Sequence, residues 1–141
     1  MGKRTVRSEC SNRDSACLHA FGNIAADWDM TVPEQCLLLG VDDENVLQDW
    51  MERARADDDV SLPEDVLEGI CCVLSIYASL VILLNHDQSK CWVRAPNRAP
   101  LFRGRSAMSL MASGNRKDLE DVVRDLLSER YRLDNPFLYG R

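Results

Sequence analysis

The chain has 141 residues, of which 45% are hydrophobic and 28% are charged, and its formal net charge at pH 7 is −6. This composition is typical of one compact unit or two small helical subdomains, and it excludes disorder along the whole chain. The acidic balance argues against a general nucleic-acid binder, because neutralisation of phosphates supplies most of that affinity, and it favours a basic protein partner.

Residues 1–12 are polar and contain the first positive cluster of the chain. This cluster is formed by Lys3, Arg4 and Arg7 and continues to Arg13. We interpret the segment as a flexible basic arm, with contact to DNA or to an acidic partner as the alternative. No apolar run follows these charges, so we expect no signal peptide and a cytoplasmic protein.

From Asp14 to Asp29 the apolar residues recur at helical spacing. Their positions differ by three or four, which places them on one face of a helix. The set consists of Phe21, Ile24, Ala25 and Trp28. We therefore predict an amphipathic first helix that packs with this face against a core.

The next segment has the pattern of two helices joined by a turn. Thr31 and Glu34 have the spacing of a capping box, and Gly40 ends the first of the two helices. Asp42 is the predicted cap of the second helix. The apolar side of that second helix is formed by Val46, Leu47, Trp50 and Met51. The pattern predicts a helix-turn-helix-like region over residues 13–60.

The second helix of such a motif would enter the major groove of DNA by its amino end. Asn45 and Gln48 are the side chains there that can read adenine edges, so they are the candidate DNA contacts. The same end carries Asp42, Asp43 and Glu44, which repel the phosphate backbone. A DNA-binding transcriptional regulator, acting as an autorepressor, is therefore the alternative function and not the first one.

A long apolar helix follows an acidic linker that ends at Val60. Ser61 and Glu64 again have the spacing of a capping box, and we predict that the helix extends to about Leu84. Ile70–Leu84 contains 15 residues without a charge. A bilayer needs roughly 20, so a buried helix is expected rather than a membrane span. Its apolar surface is generous for one small domain, so a homodimer interface is predicted beside an intramolecular core.

The stretch Cys91–Gly114, CWVRAPNRAPLFRGRSAMSLMASG, is predicted to form a rigid corner. Pro96 fixes its own φ and biases the preceding residue away from helix. Asn97 suits a turn, because its side chain can bond nearby backbone groups and it tolerates left-handed geometry. Ser106 is the predicted cap of a short helix over Ala107–Ala112.

The order W-x-x-x-P-N, followed by G-x-S and an apolar helix, resembles the toxin-binding domain of the Xre/MbcA/ParS-type antitoxins. The residues that carry this resemblance are Trp92, Pro96, Asn97, Gly104 and Ser106. Weaker similarity extends over about residues 21–127. The resemblance implies an antitoxin of a type II toxin–antitoxin module that binds a RES-domain toxin and occludes the site where that toxin consumes NAD.

Two parts of the chain are candidates for the contact with such a toxin. The first is the corner, with aromatic and arginine side chains as the expected anchors. Its candidate residues are Trp92, Arg94, Pro96, Asn97, Phe102, Gly104, Arg105 and Ser106. The second is the end of the chain, since in the family the carboxyl-terminal region approaches the toxin's cleft. Its candidate residues are Leu138, Tyr139, Gly140 and Arg141.

The remaining sequence predicts one more helix and a tail. Asn115 is the expected cap of a helix from Arg116 to about Arg132. The apolar residues of this helix at the 3.6-residue period are Leu119, Val122, Val123, Leu126, Leu127 and Tyr131. Together with the family resemblance, this pattern implies a toxin-binding helical domain at residues 61–133 and a tail at 134–141. The predicted fold class is all-α, with a helix-turn-helix-like amino-terminal half.

No catalytic or metal-binding pattern is recognised in the sequence. There is no phosphate-binding glycine-rich loop, no H-E-x-x-H and no G-x-S-x-G. The six cysteines contain no C-x-x-C pair, and the two histidines are far apart. We expect buried thiols in a reducing compartment rather than a zinc site. The sequence therefore predicts a binding protein that is not an enzyme and uses no cofactor or metal.

Overall fold

The computed structural model describes the backbone of residues 6–134 and the side chains from residue 12 onward. In this range the chain forms α-helices joined by turns, and no strand is present, which confirms the predicted all-α class. The helices are α1 (Val6–Asp27), α2 (Val32–Leu39), α3 (Glu44–Arg55), α4 (Glu64–Leu83), α5 (His86–Trp92), α6 (Ala107–Met111) and α7 (Arg116–Asp134).

The chain divides into two compact units, one that ends at Cys71 and one that begins at Cys72. The division lies within α4, whereas the sequence suggested a boundary after residue 60. α1 begins at Val6, so residues 6–12 of the predicted arm belong to a helix. The polar composition of this segment hid a helix that continues into the apolar part of α1.

In the first unit, α3 packs against both α1 and α2. The predicted apolar face of α1 is confirmed, since all four of its members are buried. They are Phe21, Ile24, Ala25 and Trp28. The imidazole Nε2 of His19 on α1 lies 2.9 Å from the carbonyl oxygen of Ala54 on α3, which adds a polar contact between these two helices.

The caps of α2 are the predicted ones, and the cap of α3 is not. The backbone N–H of Glu34 donates to Thr31 Oγ1 at 3.2 Å, and the N–H of Thr31 donates to Glu34 Oε1 at 3.0 Å, which completes the capping box. Gly40 ends α2 with a left-handed φ of 73°. Asp43 rather than Asp42 caps α3, because the helix begins one residue later and Asp43 Oδ1 accepts the N–H of Asn45 at 2.9 Å.

The start of α4 differs from the prediction. The helix begins at Glu64, and its first bonds are accepted by the carbonyl of Pro63, so Ser61 is not at the cap position. The segment before the helix is held instead by Asp14, whose Oδ2 accepts the backbone N–H of Leu62 at 2.9 Å. Asp14 is only 3% exposed, so this bond is shielded from water.

α4 has one buried face and one exposed apolar face. Its buried residues are Val66, Ile70, Val73, Ile76 and Leu80. On the opposite side Ala78, Val81 and Ile82 are exposed, the last two by 44% and 52%. By length and composition α4 is able to cross a membrane, but the core helix of a soluble protein meets the same criterion. Its fully buried face supports a soluble helical protein.

In the second unit, α6 packs against α7. The guanidinium of Arg130 on α7 also donates to Ser79 Oγ on α4 at 3.4 Å. Asn115 caps α7 as predicted, since its Oδ1 accepts the N–H of Lys117 at 3.1 Å. The predicted apolar stripe of α7 is only partly in the core: Leu119, Val122 and Leu126 are buried, whereas Leu127 and Tyr131 are 45% and 49% exposed.

Candidate functional site: the closed corner loop

The corner begins with a short helix that the sequence analysis missed. α5 opens with a capping box, in which Asn85 Oδ1 accepts the N–H of Gln88 at 2.7 Å and Gln88 Oε1 accepts the N–H of Asn85 at 3.4 Å. The Asn85…Gln88 spacing is the signal that would have revealed it. α5 ends at Trp92, so the first residue of the motif is the last residue of a regular helix.

Residues 96–106 form a loop that closes on itself through its backbone. The N–H of Asn97 donates to the carbonyl of Arg105 at 3.1 Å, and the N–H of Gly104 donates to the carbonyl of Asn97 at 2.8 Å. Pro96 and Ser106 form an isolated antiparallel bridge at the base. We call this segment the closed loop. The structure thus brings together the two ends of the motif loop, with Pro96 and Asn97 on one side and Gly104 and Ser106 on the other.

The tip of the closed loop depends on Asn97 and on two residues with left-handed backbone. Asn97 Oδ1 accepts the N–H of Ala99 at 2.9 Å, which is the side-chain turn predicted from the sequence. Arg103 and Gly104 have φ values of 52° and 84°. Gly104 adopts this conformation without the steric cost that a side chain brings, which explains glycine at this motif position.

The side chains of the two aromatic candidates contact each other, and they do not form two separate surface anchors. The rings of Trp92 and Phe102 make an edge-to-face contact, with centroids 5.6 Å apart and an interplanar angle of 88°. Phe102 is only 1% exposed, so it supports the closed loop from inside and does not form the surface anchor that we expected. Trp92 is half-buried.

Ser106 links the closed loop to α6. Its Oγ accepts the N–H of Ser109 at 3.1 Å, which confirms the predicted cap, and α6 spans Ala107–Met111, one residue shorter than predicted. The N–H of Met108 donates to the carbonyl of Val93 at 2.9 Å. The segment after α5 and the first turn of α6 are therefore held together, which fixes both ends of the closed loop.

The remaining site residues differ in exposure. Arg94, Pro96, Gly104 and Arg105 are exposed, while Asn97 and Ser106 are partly buried. Leu138, Tyr139, Gly140 and Arg141 lie outside the described residues. The exposed members of the corner that can bind a charged partner are therefore arginines.

A cleft of about 490 Å³ adjoins the closed loop, and sequence reasoning did not anticipate it. Its lining residues include Leu80, Leu84, Trp92 and Leu101 on the apolar side and Asp125, Glu129 and Arg132 on the polar side. Burial, and then the nearby charge of Glu129, raise the pKa of the Asp125 carboxyl. Arg132 is 3.6 Å from Glu129.

The candidate DNA-reading helix has an acidic surface. Asn45 and Gln48 are exposed on α3, as a base-reading role requires. Arg53 on the same helix is paired with Asp49, with 3.0 Å between Nε and Oδ2. This pairing leaves the guanidinium less available to a phosphate.

Among the cysteines with described side chains, Cys36 is buried as expected, whereas Cys71 and Cys91 are exposed, which differs from the expectation of buried thiols. Burial raises the pKa of Cys17, helped by the nearby Cys71 and Asp14, and burial also raises the pKa of Cys36, helped by Glu44 and Asp43. In the part of the chain with described side chains, no three His, Cys, Asp or Glu residues are grouped to hold a metal ion.

Comparison with known proteins identifies a relative without an assigned activity. No family model matches the chain, and no solved structure matches it significantly. A curated protein of Sinorhizobium fredii, the uncharacterized protein y4oB, is 32% identical over 130 residues, which cover 89% of this chain and 95% of that protein. The chain belongs to the same family as this rhizobial protein.

Proposed function

We propose that this protein is a cytoplasmic antitoxin that binds a RES-domain toxin and blocks access to its NAD site. The observation that carries the proposal is the closed loop, in which the residues of the resemblance form one hydrogen-bonded surface element. A loop whose backbone is ordered before binding loses less conformational entropy on binding, which favours a tight and specific contact.

The toxin is blocked by docking and not by chemistry of the antitoxin's own. In the first route, the corner docks at the rim of the toxin's cleft, with Arg94 and Arg105 as exposed anchors and Trp92 at the edge. In the second route, the end of the chain enters the cleft, with Tyr139 and Arg141 as the inserted residues. Both routes exclude NAD sterically.

A homodimer is part of the proposal, and the exposed apolar face of α4 supports it. The half-buried Leu74 lies one helical turn before the small residue Ala78 of this face, and Val81 and Ile82 lie one turn after it. Two antiparallel copies would place Leu74 of one against Val81 and Ile82 of the other, which is the self-complementary arrangement that a two-fold axis requires.

Co-expression with the adjacent open reading frame tests the function. We expect the neighbouring product to be toxic alone, to lower cellular NAD, and to lose both effects when this protein is present. The purified proteins should form a complex that no longer consumes NAD. A neighbour that keeps full NAD turnover and forms no complex with this protein would contradict the proposal.

Removal of residues 137–141 separates the two routes. If the end of the chain enters the cleft, the truncated protein should still bind the toxin but leave NAD turnover largely intact. Undiminished inhibition would assign the blockage to the corner. The helices of the described chain end at Asp134, so the truncation leaves every one of them in place.

A further inference from the structure

The charge of this protein is divided very unevenly along the chain. From Gln88 to Lys117 there is no Asp or Glu, and there are seven Lys or Arg. The rest of the chain holds the other ten of the 17 basic residues together with all 23 acidic ones. The net charge of −6 therefore conceals a strongly positive segment, and this segment contains the whole closed loop.

Three arginines of the positive segment lie on the closed loop itself. Arg98, Arg103 and Arg105 are exposed. Within the described residues, no ion pair or hydrogen bond engages their guanidinium groups. The arginines of the helices differ: Arg53, Arg124 and Arg132 form ion pairs with carboxylates at 3.0, 2.9 and 3.6 Å.

The backbone that carries these arginines is held in place. The bonds between Asn97 and both Arg105 and Gly104 fix the base of the closed loop, and the N–H of Arg105 donates to the carbonyl of Phe102 at 2.9 Å. A guanidinium presents planar paired donors that match a carboxylate, and arginine is frequent among the residues that dominate binding energy. Unpaired arginines on a fixed loop are therefore suited to a partner that offers carboxylates.

We propose that the closed loop is the docking surface for a cluster of carboxylates on a folded protein partner, with Arg98, Arg103 and Arg105 as its anchors. This inference rests on the proposed function in one respect, since it takes the toxin to be that partner. The net charge of the chain led us to expect a basic partner surface. The inference predicts an acidic one, because the docking surface is positive while the rest of the molecule is negative.

A nucleic acid fits this charge distribution less well. Its phosphates extend beyond the area of one loop and would approach Asp125 and Glu129, the carboxylates that line the adjoining cleft. A compact acidic patch on a protein can pair with the loop while the rest of the partner remains neutral or basic. Charge complementarity confined to the area of the closed loop therefore favours a protein partner over a nucleic acid.

Two triple variants with the same change in net charge test the inference. The first replaces Arg98, Arg103 and Arg105 by glutamine. The second is the control and replaces Arg53, Arg55 and Arg124, which are exposed on α3 and α7, by glutamine. Affinity for the purified RES-domain protein encoded by the adjacent gene is measured by titration calorimetry, and circular dichroism confirms that both variants are folded.

We expect the loop variant to bind the toxin about tenfold or more weakly, and the control to change affinity by less than about threefold. Lysine at the same three loop positions should restore part of the affinity, since lysine keeps the charge but loses the paired donors. Equal affinities of the loop variant and the control would overturn the inference. So would binding of a 20-base-pair DNA duplex to the wild-type protein, at roughly physiological salt, that only the loop variant loses.

A second ligand tests the carboxylate-binding role of the closed loop independently of the proposed function. If the wild-type protein does not bind the toxin, the function fails, and a decaglutamate peptide then decides the role of the loop. In an NMR titration, saturable shifts at the backbone amides of residues 94–106 that the loop variant loses would support a carboxylate-binding loop. Shifts elsewhere, or shifts that both triple variants retain, would overturn it.

Discussion

Asp14 joins two segments that are distant in sequence. Its carboxylate accepts the N–H of Leu62 and lies beside Arg13, 3.5 Å away. We expect Asp14→Ala to lower the free energy of unfolding by about 1–3 kcal/mol, because a buried N–H loses its partner. Urea unfolding measures the change. The control Asp42→Ala alters an exposed carboxylate and should change stability by less than about 0.5 kcal/mol; equal effects would show that the bond to Leu62 contributes little.

Two glycines should respond oppositely to the same substitution. Gly22 lies inside α1, and a Cβ there would meet Met51 Sδ at an ordinary 4.0 Å. Gly22→Ala should therefore stabilise the protein by about 0.5–1 kcal/mol. Gly104 has a φ of 84°, so Gly104→Ala should destabilise by about 1–2 kcal/mol through backbone strain alone. Thermal unfolding of the two variants in parallel tests both signs.

Asp125 introduces a pH dependence. Burial, and then Glu129, raise its pKa above the ordinary 3.8, so folding favours the protonated form. The charged form therefore costs stability at neutral pH, and this cost disappears as the pH falls through the raised pKa towards 3.8. We expect Asp125→Asn to stabilise the protein at pH 7 and to have little effect below pH 3.8. Urea unfolding across this pH range measures the change in the free energy of unfolding, and Glu120→Gln, an exposed position on the same helix, is the control. A stabilisation by Asp125→Asn that grows as the pH falls would contradict the prediction.

At the scale of elements, α4 is the unusual helix. A helix that is apolar around most of its circumference is normally buried, yet Val81 and Ile82 are exposed. We expect the wild-type protein to be a dimer and Ile82→Glu to be a monomer, as measured by light scattering. Leu127→Glu, on the exposed face of α7, should leave the dimer intact. A monomeric wild type that binds lipid vesicles would instead indicate a membrane surface as the partner.

Local rules predicted most elements but not all of their ends. The capping box of Thr31, the turn of Asn97 and the cap at Ser106 depend on neighbouring residues, and the sequence was sufficient for each. The predicted cap at Ser61 was wrong, because α4 begins at Glu64 and the segment before it is bonded to a distant carboxylate, that of Asp14. No periodicity within one segment contains that information.

At the candidate site the local turn was predicted correctly, but the environment of one side chain was not. The sequence indicated a turn around Pro96 and Asn97, but the spatial contact between Trp92 and Phe102 buries a side chain that local reasoning had assigned to the surface. The closure between Asn97 and Gly104 joins residues through backbone atoms, which carry no signature in the side-chain pattern.

At the scale of the whole molecule, α4 is the element that belongs to both compact units. Helical hydrogen bonds join residues four apart, so several of them cross the division between Cys71 and Cys72. We expect hydrogen exchange to be equally slow on the two sides of this division. Mass spectrometry of peptides from each half of α4 measures it, and a step in protection there would show that the units open separately.

The closure of the corner loop has an evolutionary consequence. The backbone pairing at Asn97 and Gly104 holds the base, and Phe102 is buried inside the loop. The exposed tip positions Arg98 and Pro100 therefore form an interchangeable cassette, because their side chains can change while the ends of the loop stay in register. Under the proposed function, a relative with other side chains at these tip positions would bind another target while the helical scaffold remains unchanged. Exchange of this cassette between two family members should carry target preference with it.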